Sequence, residues 1–361
     1  MRITFVIHSL GGGGAERVLA RIATHWADNG HAVDILTLSD APPASGIRLP
    51  ESVNIHPLGI VSQGGRPLWS PRNLTGLATL RKTIQRLRPG CVISFLDMPN
   101  CVTLTACLGM RVPVIVSDRV GTLPADLVSH WTRLSRVLYR FAKHIVVQTE
   151  RGRPRIAGSL QNRVTVIPNP VDPPGEDPLP LRSRSRKIVG IGRLTHQKGF
   201  DLLIRAFRNV AGEFSNWNVE ILGEGPERGN LERLVAGEGL EGRVSLSGWR
   251  PGPGPILGDA QVFVLPSRFE GFPNALCEAM AHGCAVIAAD CPTGPREIVD
   301  SERDGILVPN EDVDALTAAL HRLLGSEDLR TRLGAAATNV VQRFSLPSIM
   351  KKWETLLPSC D

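Results

Sequence analysis

Residues 3–38 read ITFVIHSLGGGGAERVLARIATHWADNGHAVDILTL and hold one complete strand–helix–strand unit. Residues 3–7 are a β-branched and aromatic run of strand length. The four glycines at 11–14 permit a tight turn and a close backbone approach to a ligand. Apolar residues then recur at helical spacing from 15 to 29, and Gly30 stops the helix. Residues 33–38 form the next strand. Two strands joined by a crossover helix run parallel, and parallel sheets carry helices on both faces.

Outward from this unit the alternation continues, with short β-branched runs at 91–95, 114–116, 145–148 and 164–167. Residues 168–186 are dense in Pro, Ser and charge and read as a linker. The pattern restarts with strands at 188–191, 219–222, 244–246, 262–265, 284–288 and 305–308. Helices are expected from 201, around 231–236, at 313–324 and at 349–357. The expected architecture is α/β, with two doubly wound, Rossmann-like domains. They span 1–170 and 171–345, and a terminal helix at 346–361 is free to cross back to the first. Ligands of such sheets bind outside the carboxyl ends of the strands, which makes the cleft between the domains the expected site.

Composition narrows the function. With 361 residues, 42% hydrophobic and 21% charged, the chain is an ordinary globular protein. Seventeen aromatics offer little stacking surface for single-stranded nucleic acid, so no nucleic-acid partner is expected. No apolar run reaches the 18 residues of a membrane span, and residues 3–7 are too short for a signal-peptide core, so a cytoplasmic protein is expected. The seven cysteines form no metal-spaced cluster, and no metal is expected. Residues 1–170 hold 20 Lys+Arg against 9 Asp+Glu, whereas the remainder holds 21 against 26. A basic half joined to an acidic half points to a polyanion or an anionic membrane on the basic side. Residues 131–143 place Trp131, Leu134, Leu138 and Phe141 on one helical face, interleaved with Arg133, Arg136, Arg140 and Lys143. Residues 72–88 are similar. Such a helix either packs its apolar face on a sheet or lies on a bilayer.

Four strand-end motifs carry chemistry. The glycine loop ends in GGAER at 13–17 and opens a helix whose free N–H groups suit an anion. It lacks the third glycine of a dinucleotide fingerprint. GRLTHQKG at 192–199 presents Arg193 and Lys198, a planar fork and a point charge that together neutralise a diphosphate. RFEGFPNALCEAM at 268–280 offers Asn274 as helix N-cap, with the Ala275 and Leu276 amides as an anion site. Glu270 lies before that helix, and Glu278 is expected in its first turn. PTGPRE at 292–297 is a further strand-end loop.

Taken in order, and with IPNPVD at 167–172, these motifs resemble the retaining GT-B glycosyltransferases of family 4, most strongly from 188 to 310. The FPN form resembles bacterial members that extend polyprenyl-diphosphate-linked saccharides. The resemblance implies a nucleotide-sugar donor, UDP-linked, a hexose or N-acetylhexosamine as the transferred sugar, and polysaccharide, O-antigen or glycan assembly on the cytoplasmic face of the inner membrane. It places Arg193 and Lys198 on the donor diphosphate, helped by Ala275, Leu276, Asn274, Gly13 and Gly14. It puts Glu278 on the ribose and Glu270 on the transferred sugar, and it sets uracil near Trp249 and Arg250. No metal or other cofactor is implied. Where many relatives carry a His, this chain has Ser117, Asp118 and Arg119. Arg119 becomes the candidate for an acceptor diphosphate or donor phosphate, Asp118 a candidate acceptor-side base, and Glu16 falls on the acceptor side. A nucleotide-sugar epimerase and a non-catalytic sugar-nucleotide-binding protein are the competing readings on the same fold.

Overall fold

The computed structural model describes residues 1–60, 71–119, 129–176 and 178–358, with side chains of the helix Pro71–Leu87 described from Thr75 onward. The first sheet contains β1 (Arg2–Ile7), β2 (Ala32–Thr37), β3 (Val53–Pro57), β4 (Cys91–Phe95), β5 (Val114–Asp118), β6 (His144–Val147) and β7 (Val164–Val166). Its seven strands lie in the order β3-β2-β1-β4-β5-β6-β7, all parallel. The second contains β8 (Ser185–Ile191), β9 (Asn218–Leu222), β10 (Val244–Gly248), β11 (Ala260–Leu265), β12 (Ala285–Asp290) and β13 (Ile306–Pro309). Its six strands lie in the order β10-β9-β8-β11-β12-β13, again all parallel. In each sheet the strand order reverses once, between β1 and β4 and between β8 and β11.

The chain divides into two compact units. Residues 1–169 and 349–361 form the first, and 170–348 the second. In the first unit, the helix Gly14–Asp28 buries Val18, Leu19, Ile22 and Trp26 against the sheet. β3 has no counterpart in the sequence reading. It spells VNIHP, too polar and Pro-containing to read as a strand, and as the sheet edge it tolerates the proline. From Thr75 onward the helix Pro71–Leu87 packs Leu80 and Ile84, with Leu77 and Leu87 partly buried, into the core of its own unit, while Leu74 of its apolar side lies outside the described side chains.

The helix His130–Leu138, extended by the short turn Tyr139–Phe141, behaves differently. It turns Thr132, Ser135 and Tyr139 inward. Val137 and Phe141 are 48% and 52% exposed, while Trp131, Leu134 and Leu138 are half-buried. The predicted apolar face is therefore only partly covered, and the inward face is the polar one. Spacing misled here because the partner is the helix Asp97–Ala106, which offers Asp97 and Asn100 as hydrogen-bonding groups.

The last helix, Leu346–Glu354, carries Trp353 into the first unit. The Trp353 ring stacks on Phe95 with centroids 6.1 Å apart and meets Trp26 edge-on at 6.3 Å. Trp353→Ala is expected to cost about 3–5 kcal/mol, the usual loss for a fully buried large aromatic, measured by urea denaturation of the whole chain. The six described cysteines are all buried, and burial pushes the thiols of Cys91, Cys101, Cys107, Cys284 and Cys291 up to about 12. They act as small hydrophobes rather than nucleophiles.

Candidate functional site

Three of the four motifs converge in the second unit, where β8 and β11 adjoin. This is the position at which doubly wound sheets open a ligand crevice. The 192–199 loop leaves β8 and closes on Gly199, which sits at φ 64°. A Cβ there would run into the Pro266 carbonyl, so only glycine lets this loop lie against the end of β11. Gln197 fixes the contact, donating to the Phe269 carbonyl at 2.9 Å while its own carbonyl accepts from the Arg268 amide at 2.8 Å. The result is an ion pair: Lys198 Nζ lies 2.6 Å from Glu270 Oε1, with the side chains 18% and 6% exposed. The fourth motif supports the same loop, since Thr293 Oγ1 donates to the Glu270 carbonyl. Arg268 is occupied elsewhere, paired in a fork with Asp201 at 2.7–2.8 Å and with Glu311 at 3.0 Å. Arg296 pairs with Asp290 at the end of β12. Arg193 is exposed on the 192–199 loop.

The helix after Glu270 spans Asn274–Ala281 and differs from its reading in three respects. Pro273, not Asn274, holds the N-cap position, and no side chain caps the helix. The Leu276 amide donates to the Pro273 carbonyl at 3.1 Å and is not available to an anion, which leaves the Ala275 amide. Glu278 is the fifth helical residue, one position past the first turn expected for it. All three follow from Pro273: its fixed φ of −77° starts the helix one residue early in geometric terms, and its carbonyl takes the first free amides. Trp249 and Arg250 follow β10 on its carboxyl side and are exposed, Trp249 by 53%.

The first unit carries the remaining candidates. Gly13 is the N-cap of the helix Gly14–Asp28, with no side-chain cap bond. The Glu16 carboxylate folds back so closely that a Cβ on Gly13 would collide with it. The helix start expected to receive a phosphate is thus covered by the chain's own acid. Asp118 ends β5 and is buried. Its carboxylate binds Arg155 and accepts from the Tyr139 hydroxyl at 3.2 Å. Arg155 also approaches Asp97 to 3.9 Å, and Thr132 donates to Asp97. Burial pulls the Arg155 pKa down, but the Asp118 and Asp97 charges outweigh it and leave it raised. Burial, then the charge on Asp118, pushes Tyr139 up. A carboxylate committed in this way is a poor proton acceptor for a substrate, and the structure gives Asp118 a structural task instead. Asp118→Asn is expected to destabilise the protein by about 3–5 kcal/mol, as for other buried pairs broken on one side, with chemical denaturation as the check.

Arg119 is separately placed. Its Nε donates to Ser117 Oγ at 3.1 Å, its Nη1 to Asn169 Oδ1 at 2.7 Å, and its plane lies 4.0 Å from the Phe95 centroid. Sequence reasoning did not assign Arg155, Tyr139, Thr132 or Asn169. Only Asn169 carried a signal, as part of the IPNPVD motif.

Comparison with known proteins adds to this geometry. The family described as Glycosyl transferases group 1 matches residues 185–326, and that described as Glycosyltransferase Family 4 matches residues 12–174. An uncharacterized glycosyltransferase of Methanocaldococcus jannaschii is 30% identical over 346 residues, covering 80% of this chain and 84% of that protein. The GalNAc-alpha-(1->4)-GalNAc-alpha-(1->3)-diNAcBac-PP-undecaprenol alpha-1,4-N-acetyl-D-galactosaminyltransferase of Campylobacter jejuni is 26% identical over 361 residues, covering 99% and 98%. An exopolysaccharide phosphotransferase of Streptomyces coelicolor is 36% identical over 220 residues, 59% of this chain and 23% of that longer protein. Among solved structures, Anabaena HepE in complex with UDP and glucose superposes with a TM-score of 0.82 at 20% identity, covering 98% of both chains. The two parallel-sheet units have the GT-B fold.

Proposed function

Because the chain belongs to the group 1 and family 4 glycosyltransferases, we propose that it moves a hexose or N-acetylhexosamine from a UDP-linked donor to a polyprenyl-diphosphate-linked saccharide in bacterial surface polysaccharide or glycan assembly. The observation that carries this reading is the Lys198–Glu270 pair beside the start of the helix Asn274–Ala281. A cation, a carboxylate and a free amide within a few residues suit a sugar diphosphate. Arg193, Lys198 and the Ala275 amide take the diphosphate, Glu278 the ribose, and Trp249 with Arg250 the base. Asn274 adds a donor contact, Gly13 and Gly14 do so once the Glu16 carboxylate swings off the helix start, and Glu16 and Arg119 face the acceptor. Positive charge aimed at the leaving group stabilises the transition state most where water is thin.

Transfer proceeds with retention. The bond from the anomeric carbon to the phosphate oxygen breaks, and the acceptor hydroxyl attacks on the same face. Its proton passes to the departing diphosphate oxygen. Glu270 receives hydrogen bonds from the sugar hydroxyls and steadies the positive charge on the ring. No metal is required, since Arg193 and Lys198 supply the neutralising charge. The test is a panel of nucleotide sugars against polyprenyl-diphosphate saccharides, with product mass analysis, with and without EDTA. Transfer from a UDP-sugar, unaffected by EDTA, is expected. Conversion of the donor without acceptor would point to an epimerase, and binding without turnover to a non-catalytic protein.

A lipid-linked acceptor calls for a membrane surface, and the helix His130–Leu138 supports a peripheral one on the cytoplasmic face of the inner membrane. Arg133, Arg136, Arg140 and Lys143 are exposed beside Val137 and Phe141, with no acidic residue between 127 and 149. Among the described residues no helix is long and apolar enough to cross a membrane. Each cation near an anionic leaflet contributes about 1 kcal/mol. Replacing Arg133, Arg136 and Lys143 by Gln together is therefore expected to weaken binding to phosphatidylglycerol vesicles by about 10²-fold in co-sedimentation, with unchanged turnover on a short-chain acceptor.

A further inference from the structure

Arg119 is held by neutral groups, with no carboxylate of the described residues paired to it. Three features fix its guanidinium: the Ser117 hydroxyl, the Asn169 side-chain oxygen and the Phe95 ring. All three are neutral. Among the described residues no carboxylate lies within ion-pair distance of Arg119. Glu16 acts on it only through its field, and burial dominates, drawing the Arg119 pKa down to about 9. An arginine still carries its charge at neutral pH from such a value, and among the described residues no ion pair consumes that charge.

The clamp is itself braced. Asn169 Oδ1 accepts a second bond from Gln148 Nε2 at 2.9 Å, which fixes the side-chain oxygen toward the guanidinium. Phe95 is backed on its other neighbours by Phe5 and by Trp353. A neutral oxygen orients a guanidinium as a carboxylate would, but does not consume its charge. We propose that Asn169 is a positioning residue that keeps Arg119 free to bind the pyrophosphate of a substrate. This rests on the glycosyltransferase reading for the substrate's identity, but not for the binding itself.

The experiment exploits an opposition. Asn169→Asp preserves shape and both accepted hydrogen bonds, yet it hands Arg119 a fixed counter-ion. Asn169→Ala removes the bonds and adds no charge. Inorganic pyrophosphate is titrated calorimetrically into the full chain, and the component lost in Arg119→Gln is assigned to this site. Asn169→Asp is expected to weaken that component at least tenfold while its Tm equals or exceeds that of the parent. Asn169→Ala should weaken it less, despite a lower Tm. A purely structural Asn169 gives the reverse order, so an Ala variant weakened at least as much as the Asp variant overturns the proposal. So does pyrophosphate binding unchanged by Asn169→Asp, or unchanged by Arg119→Gln. In the transfer assay, a raised acceptor KM in Asn169→Asp assigns the site to the acceptor's diphosphate, and a raised donor KM assigns it to the donor's. Absence of transfer with any substrate, beside an intact pyrophosphate response, would overturn the functional reading and leave this one standing.

Discussion

Glu270→Gln is expected to lower the transfer rate by at least about 10²-fold, the loss typical of one preorganised electrostatic group at a reacting centre. The substitution is nearly isosteric, so the loop between β11 and the helix Asn274–Ala281 keeps its shape, still tied by Thr293 and Gln197. What disappears is negative charge at the position proposed for the transferred sugar. Lys198 loses its ion-pair partner, but its side chain retains some access to water, which limits the stability loss to about 1–2 kcal/mol. The rate effect should therefore exceed anything that unfolding could explain at 25 °C. Stopped assays of the purified variant, paired with a thermal melt, separate the two. A variant that turns over like the parent would remove Glu270 from the reacting centre.

Lys198→Ala is expected to cost at least about 10²-fold as well, for a different reason. Lys198 is bound to Glu270, so its charge is directed by the carboxylate proposed to meet the transferred sugar. On the proposed reading, an incoming diphosphate shares the ammonium with Glu270. Removing Lys198 both deprives the leaving group of a cation and strands a buried carboxylate. Stability should fall further than in Glu270→Gln, by about 2–4 kcal/mol, because Glu270 is the more deeply buried partner. A Lys198→Met, Glu270→Gln double variant should then melt above Lys198→Ala, since it leaves no orphaned charge, while remaining inactive. A donor KM that rises in Lys198→Ala with kcat intact would move Lys198 from the leaving group to ground-state binding.

The strands were the most legible part of the sequence. β1 and β4 are dense in Val, Ile and Phe, and parallel strands buried on both faces show little else. β3 was hidden because an edge strand needs no such density. In the second unit, the coming together of Lys198, Glu270 and Thr293 follows from loops that leave adjacent strands, which strand order reveals and spacing alone does not. The individual atoms were harder. Whether Leu276 offers its amide depends on the Pro273 carbonyl, a matter of ångströms. The Asp118–Arg155 pair joins residues 37 positions apart, and no local pattern marks it. The face that helix His130–Leu138 turns inward was misjudged because its neighbour offers Asp97 and Asn100 where a sheet would offer aliphatic side chains.

The route of the chain has a consequence for biogenesis. Residues 349–361 belong to the unit that begins at Met1, and Trp353 seals it beside Trp26 and Phe95. A ribosome delivers that indole only after the whole of the other unit has emerged. The lobe started earliest is therefore completed last, with an open aromatic notch throughout translation. Chaperone dependence should concentrate there, and a stop codon just before position 349 would leave the notch permanently unplugged.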